Sequence, residues 1–228
     1  AAVRFPSQDE MPALAAMVQS REPRVNNVIG FLDGLAIPVQ CSSDPVEQAA
    51  YYSGYHFDTT VNNTFLFLPT GKIAFACINY PGSWHDTQVC ADLIAVVLEH
   101  IGWYAICVDQ GFPRSGPLFE RFVGPLSRRM RRRLAPALRI LLVLHAVYIS
   151  LRQASEWGMR AIQGTFCRIK SRLTSDKEIR RKILLSVVLP QNFRTEIMGI
   201  NQIAAVFNPH YEQFVNLDGY DRIARYFM

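Results

Sequence analysis

The chain has 228 residues, half of them apolar and 19% charged, which suffices for a substantial core and excludes a disordered or low-complexity protein. Lys and Arg number 24 against 19 Asp and Glu, a formal charge of +5 too small to define a partner by itself. Cys41, Cys77, Cys90, Cys107 and Cys167 form no CxxC pair, those in the apolar runs FACIN and AICVD read as small buried hydrophobes, and a reducing compartment without disulfides is expected.

The opening AAVRFPSQDEMP has no signal-peptide pattern and reads as the middle of a longer protein. A mildly amphipathic helix is predicted over 7–21, with Ser7 or Asp9 as cap and Pro12 in its first turn. The apolar run 28–32 predicts a central strand that delivers Asp33 at its end. Gly34 then allows a tight turn, and Pro38 confines the residues after it to an edge or extended segment. VNNTFLFL and KIAFACINY are β-rich runs joined by Pro69-Thr70-Gly71, a hairpin. PGSWHD breaks the second strand and leaves His85 and Asp86 in a loop or at a helix start. Residues 87–100 have helical spacing, Gly102 stops them, and WYAICVD is a short strand ending at Asp109.

Residues 121–139, RFVGPLSRRMRRRLAPALR, carry seven arginines and no acidic residue. This is a positive potential suited to a polyanion, or else a solvated loop, and composition leaves both open. The apolar stretch LAPALRILLVLHAVYISL is interrupted by Arg139 and His145, which favours a buried helix over a membrane span. Helical spacing runs from about 134 to 189, Pro190 is expected to end it, and a last helix falls within 191–207. The tail 208–228 is polar and aromatic and reads as an appendage packed on the core. The order strand, hairpin, helix, strand, helices predicts a mixed α/β domain with one sheet.

Asp33 after VIGFL and Asp109 after AICV are carried by apolar strands to the sheet rim, where α/β sheets bind ligands. Phosphodiester cleavage by two divalent ions about 4 Å apart asks for such carboxylates, and Mg²⁺ prefers oxygen ligands. Asp-Gly is also an ordinary turn, so each aspartate alone has a structural explanation. Arg152, Glu156 and Arg160 lie at i, i+4 spacing along one helical stripe, which by itself reads as a surface ion ladder. Spacing does not lift Glu156 above Glu178 or Glu196.

The blocks IGFLDG, YYSGYHFDTTVNNTFLFLPTGKIAFACINYPGSWHDTQV, CVDQGFP and LRQASEWGMRAIQGTFCRIKSRL resemble successive blocks of Harbinger-type transposases. The closing FRTEIMGINQIAAVFNPHYEQFVNLDGYDRIARYF resembles the C-terminal extension of fungal and oomycete members. The resemblance covers about residues 20–228 with five blocks in order. It implies an RNase H-like fold, with a central mixed sheet flanked by helices and a helical C-terminal extension. Residues 1–24 would be an N-terminal helical segment, 25–190 the catalytic core and 191–228 the extension. It further implies that Asp33, Asp109 and Glu156 are the catalytic, metal-holding carboxylates of a nuclease using Mg²⁺, with Mn²⁺ as substitute. Asp86, with His85, matches an acidic position of less settled, accessory role.

Arg128, Arg129, Arg131, Arg132, Arg133, Arg160 and Lys170 are the expected contacts to the DNA backbone. A separate Myb-like DNA-binding partner, a nuclear location and a homo-oligomer accompany the resemblance, and no membrane does. The chain departs from the family pattern at Gln110 and Thr87, where serine is usual, and at Ser53. The stretch from Gly124 to Leu142 aligns poorly, and the helical DNA-binding region normally found upstream of the first aspartate is not in this sequence. A domesticated, inactive DNA- or protein-binding descendant is the alternative.

Overall fold

The computed structural model describes residues 3–135, 138–199 and 201–210. Helix α1 (Met11–Arg21) precedes strand β1 (Val28–Pro38), a short helix α2 (Pro45–Tyr51) and the two-residue strand β2 (Tyr52–Ser53). The hairpin β3 (Asp58–Phe67) and β4 (Ile73–Pro81) follows, then α3 (Asp86–Val89), α4 (Ala91–His100), β5 (Ala105–Cys107) and β6 (Phe122–Val123). Helices α5 (Arg128–Arg132), α6 (Ile140–Thr165), α7 (Lys177–Met198) and α8 (Gln202–Phe207) complete the described chain. The tail of the C-terminal appendage, 211–228, lies outside the described residues.

The sheet is mixed. β1 pairs antiparallel with β3, which pairs antiparallel with β4, while β1, β5 and β6 run parallel. β2 pairs with the start of β3. Helices cover both faces. On one face Phe31, Phe65, Phe67 and Cys107 pack with Leu151, Ala154 and Ile162 of α6 and with α7 and α8. On the other, Ile29, Leu32, Leu66 and Ile106 pack with Met11 and Leu14 of α1 and Leu93 and Val97 of α4. No described helix is long and apolar enough to cross a membrane, although the first turns of α6 leave Ile140 and Ile149 exposed.

The hairpin turns at Pro69-Thr70-Gly71 as expected, with Gly71 at φ +81°, a conformation glycine adopts without strain. Four expectations need correction, the first being the helical run 134–189, which is divided between α6 and α7. The first helix starts later than its expected caps, at Met11, because Ser7 and Asp9 lie in a turn in which the Ser7 carbonyl accepts from Glu10 and Met11. Asp33-Gly34 does not turn: β1 continues to Pro38, because the long strand β3 pairs with every residue from Phe31 onward. Nor does Pro190 end its helix. α7 runs through it to Gly199, whose φ of +64° is the actual stop.

The segment beyond Pro190 is held by Asn192, which accepts from the Ile73 N–H at 2.7 Å and donates to the Ile73 carbonyl at 2.8 Å. This side chain works as an extra strand partner for β4, and it offsets the roughly 3 kcal/mol cost of an internal proline. Asn192→Ala would leave both groups of buried Ile73 unpaired. Chemical denaturation should show a loss of about 2–5 kcal/mol; a loss under about 1 kcal/mol would mean that α7 is fixed by its apolar face alone.

Candidate active site

Asp33 sits just beyond the point where β5 stops pairing with β1, the last parallel partners being Phe31 and Cys107. On its β3 side it stays paired, opposite Phe65. Asp33 is therefore on a rigid central strand yet beside a gap in the sheet, and Asp109, two residues past β5, stands at that gap. Alternation puts Asp33 on the face of Phe31 and Leu35, which is the α6 face. α6 comes close because Gly158 has no side chain where the Phe67 ring lies, and the Ser155 hydroxyl then donates to Asp33 Oδ2 at 3.1 Å. The Gly34 N–H donates to Asp33 Oδ1 at 2.9 Å.

Burial raises the Asp33 carboxyl above the ordinary carboxylate range, and the Asp109 charge adds to it; Gly34, Arg152 and Ser155 oppose the rise. Asp109 accepts from the Gln110 N–H at 2.6 Å and lies 3.3 Å from an Arg152 guanidinium nitrogen. Gly34, one residue on, faces the other side of the sheet, where Asp86 begins α3. Asp86 Oδ1 is 3.1 Å from the place a Gly34 side chain would start, and Asp86 Oδ2 is 2.5 Å from the corresponding point at Gly111. The two glycines that come just after the strand-borne aspartates thus form a cradle filled by one carboxylate. Burial, then the Asp109 charge, raises Asp86 as well. Asp109 is consequently flanked by Asp33 on one face and Asp86 on the other. His85 caps α3 in a reciprocal pairing with Gln88 and is exposed, and its proximity to Asp86 opposes the rise of that carboxyl.

Glu156 is on the exposed side of the same α6 turn. Its side chain is 49% exposed and pairs with Arg160 at 4.0 Å, one rung of the ion ladder that spacing alone predicts, while Arg152 turns to Asp109 instead. Among the described residues, no three of His, Cys, Asp or Glu are arranged to hold a metal ion. The donor chemistry nevertheless fits a hard divalent cation. Asp33, Asp109 and Asp86 offer only carboxylate oxygens, and they repel one another at a half-buried rim where Arg152 is the opposing charge. Burial pushes the Cys107 thiol at the end of β5 up to about 12.

The arginine run is a short exposed helix, α5, capped by Ser127, which accepts from the Met130 N–H at 3.2 Å. It is tied to the carboxylate rim. Arg114 donates to the Pro125 carbonyl at 2.9 Å, and Gln110, next to Asp109, reaches the Leu126 carbonyl at 3.5 Å. The Leu126 N–H donates to His145 Nδ1 of α6 at 3.0 Å, and burial followed by the nearby Arg131 charge lowers the His145 pKa. Arg128, Arg129, Arg131, Arg132 and Arg133 all face solvent, as do Arg160 and Lys170 farther along the chain.

A family model described as DDE superfamily endonuclease matches residues 32–191. The chain belongs to this superfamily. The match opens one residue before Asp33 and closes one residue after Pro190, so it encloses Asp33, Asp86, Asp109, α5 and Glu156. No curated protein and no solved structure matches the chain. For a DDE endonuclease domain the substrate is DNA, and the residues that sequence reasoning undervalued are then those nearest the aspartates. Ser155 and Arg152 share the Glu156 helix, and Asp86 lies opposite two glycines. The only sequence signal for Asp86 was its GSWHD block; the Gly34–Gly111 cradle depends on the approach of strand β1, the turn after Asp109 and the start of α3, which spacing does not encode.

The cradle makes a testable distinction between glycines. At Gly111 an added methyl meets only the movable Asp86 carboxylate, whereas at Gly124 it collides with the Val108 backbone carbonyl. Gly111→Ala should therefore fold with stability within about 0.5 kcal/mol of the parent. Gly124→Ala should lose about 1–3 kcal/mol, the usual cost of overpacking. Equal losses in thermal melts would show that Asp86 is rigidly fixed.

Proposed function

We propose that this chain is the catalytic core of a Harbinger-type DNA transposase with an RNase H-like fold, which cleaves phosphodiester bonds and transfers DNA strands. The observation that carries the reading is the meeting of Asp33 and Asp109 at a gap in the sheet, beside an exposed arginine helix, within a DDE endonuclease domain. The sheet order supports the fold: three consecutive antiparallel strands, then two parallel ones on the far side of β1.

In this reading Asp33 and Asp109 hold Mg²⁺, or Mn²⁺ in its place. Divalent ions there would lower the pKa of an attacking water and stabilise the departing 3′-oxygen. Ser155 and the Gly34 N–H orient Asp33, and the Gln110 N–H orients Asp109, so that both present fixed lone pairs. Glu156 joins them as the third carboxylate on leaving Arg160. Arg128, Arg129, Arg131, Arg132 and Arg133, with Arg160 and Lys170, hold the phosphate backbone without reading sequence. Element ends are then recognised by a separate Myb-like partner, in the nucleus, with a homo-oligomer bringing two ends together.

The outward Glu156–Arg160 pairing favours one rival: a domesticated descendant that binds DNA without cutting it. Supercoiled plasmid incubated with the chain decides between them. Conversion to open circles with Mg²⁺ or Mn²⁺, abolished by chelator, is the expected result; salt-sensitive binding with no conversion under either ion would establish the rival.

A further inference from the structure

Arg152 lies three residues before Ser155, so the two share the face of α6 turned to β1. Its guanidinium stands 3.3 Å from Asp109 Oδ1, and its charge also acts on Asp33. The side chain is only 24% exposed, and its Nε is buried with no hydrogen-bond partner among the described residues. A permanent arginine–carboxylate pair usually forms a fork of two parallel N–H···O bonds at about 2.7–2.9 Å. The contrast within this protein is plain: Arg4 grips both oxygens of Glu10 through two nitrogens at 2.7 and 2.6 Å. Arg152 makes no such fork with Asp109. It is held between two aspartates by charge, with its donors poorly used.

Resting on the reading of this rim as a divalent-cation site, we propose that Arg152 is the site's resident counter-cation, displaced from Asp109 when a divalent ion binds. Two like-charged aspartates on a rigid rim repel each other, and a neighbouring guanidinium relieves that repulsion in the metal-free protein. A divalent ion relieves it more strongly and cannot share the same few ångströms with a guanidinium. Arg152 and the ion therefore compete, and the loose geometry keeps the arginine displaceable. Arg152 and Glu156 are one helical turn apart on α6, so withdrawal of the guanidinium also opens the path by which Glu156 could approach the ion.

The sign of the effect distinguishes competition from orientation. An arginine that orients Asp109 for the ion would, when removed, weaken ion binding; a competitor, when removed, strengthens it. Mn²⁺ binding, followed by loss of the free-ion electron paramagnetic resonance signal, should tighten by roughly 5–150-fold in Arg152→Gln, the usual range for coupling between two sites. Arg152→Met, which keeps most of the stem, should do the same if the glutamine variant folds poorly, while Arg152→Lys should stay near the parent. In the unaltered protein the Arg152 Nε–H resonance should shift on titration with Mg²⁺, a readout that needs no variant. Unchanged or weaker Mn²⁺ binding in both neutral variants, or an Arg152 resonance indifferent to Mg²⁺ while the ion binds, overturns the proposal and leaves the cation site standing. If the parent and the neutral variants all fail to bind Mn²⁺ at millimolar concentration, the cation reading of the rim falls, and this inference with it.

Discussion

Asp33→Asn is expected to abolish metal-dependent nicking and at the same time to make the protein harder to melt at neutral pH. The first effect follows from the proposed role of Asp33 as a cation-holding carboxylate. Several kcal/mol of transition-state charge stabilisation corresponds to a rate loss of about 10³-fold or more. The second comes from linkage. Burial and Asp109 raise the Asp33 pKa on folding, so the contribution to stability is fully present below the ordinary carboxylate pKa and is lost as pH rises through the raised folded value. Ionising Asp33 as pH rises is thus a cost to the fold, which the isosteric neutral amide removes. Melts of parent and variant should diverge as pH rises above about 4, the ordinary aspartate value, and converge below it. For a domain of this size each kcal/mol relieved is worth about 2–4 °C. Saturating Mg²⁺ should stabilise the parent and leave the variant unmoved. A variant that is less stable at neutral pH and equally stabilised by Mg²⁺ would mean that Asp33 serves the fold and not a cation.

Replacing Arg128, Arg129, Arg131, Arg132 and Arg133 with glutamine should remove most of the salt dependence of DNA binding. All five are exposed on or next to α5, which is tethered to the Asp109 loop through Gln110 and Arg114. If each neutralises one phosphate, the log–log slope against salt falls in magnitude by about 4–5. Between about 50 and 200 mM salt, those five contacts correspond to several hundred-fold in affinity, and the variant should keep only the shallower slope that Arg160 and Lys170 supply. Stability should barely change, because the replaced side chains bury nothing. An unchanged slope would identify the run as a solvated surface and move the DNA path to Arg160 and Lys170.

The aspartates and the sheet were legible in the sequence because their signals are local. VIGFLD and AICVD are apolar runs closed by a carboxylate, and the VNNTFLFL–KIAFACINY hairpin carries its own turn residues. The features that were not legible depend on pairing between distant segments. β1 looked complete at Leu32, yet its length is set by β3, which offers partners out to Pro38. Asp33 is therefore a half-buried mid-strand residue left without a β5 partner by the shortness of that strand, and no local pattern records how far a parallel neighbour extends. β6 has two residues and lay hidden beside the arginine run. Pro190 broke the helical pattern on paper, while Asn192 holds α7 together through β4.

The α6 face shows the same limit at the site itself. Arg152, Ser155 and Glu156 all fall within one helical turn, and periodicity cannot say which of them meets β1. That choice is made by Gly158, which lets the helix settle against Phe67 and so brings Ser155 to Asp33 and Arg152 to Asp109. Glu156 is left on the exposed flank beside Arg160. The resemblance to Harbinger-type transposases named Glu156 as the third carboxylate. The geometry adds Asp86, cradled by Gly34 and Gly111, as a charge on the opposite side of Asp109.

The central claim is that Asp33 and Asp109 together hold a divalent ion. Crystals grown with Mn²⁺ and measured near the manganese absorption edge test it most directly. The account predicts an anomalous peak bonded to carboxylate oxygens of both aspartates at about 2.0–2.3 Å, absent from crystals of Asp109→Asn. Fully ordered Asp33 and Asp109 side chains with no anomalous density between them, at an ion concentration that supports nicking in solution, would contradict it.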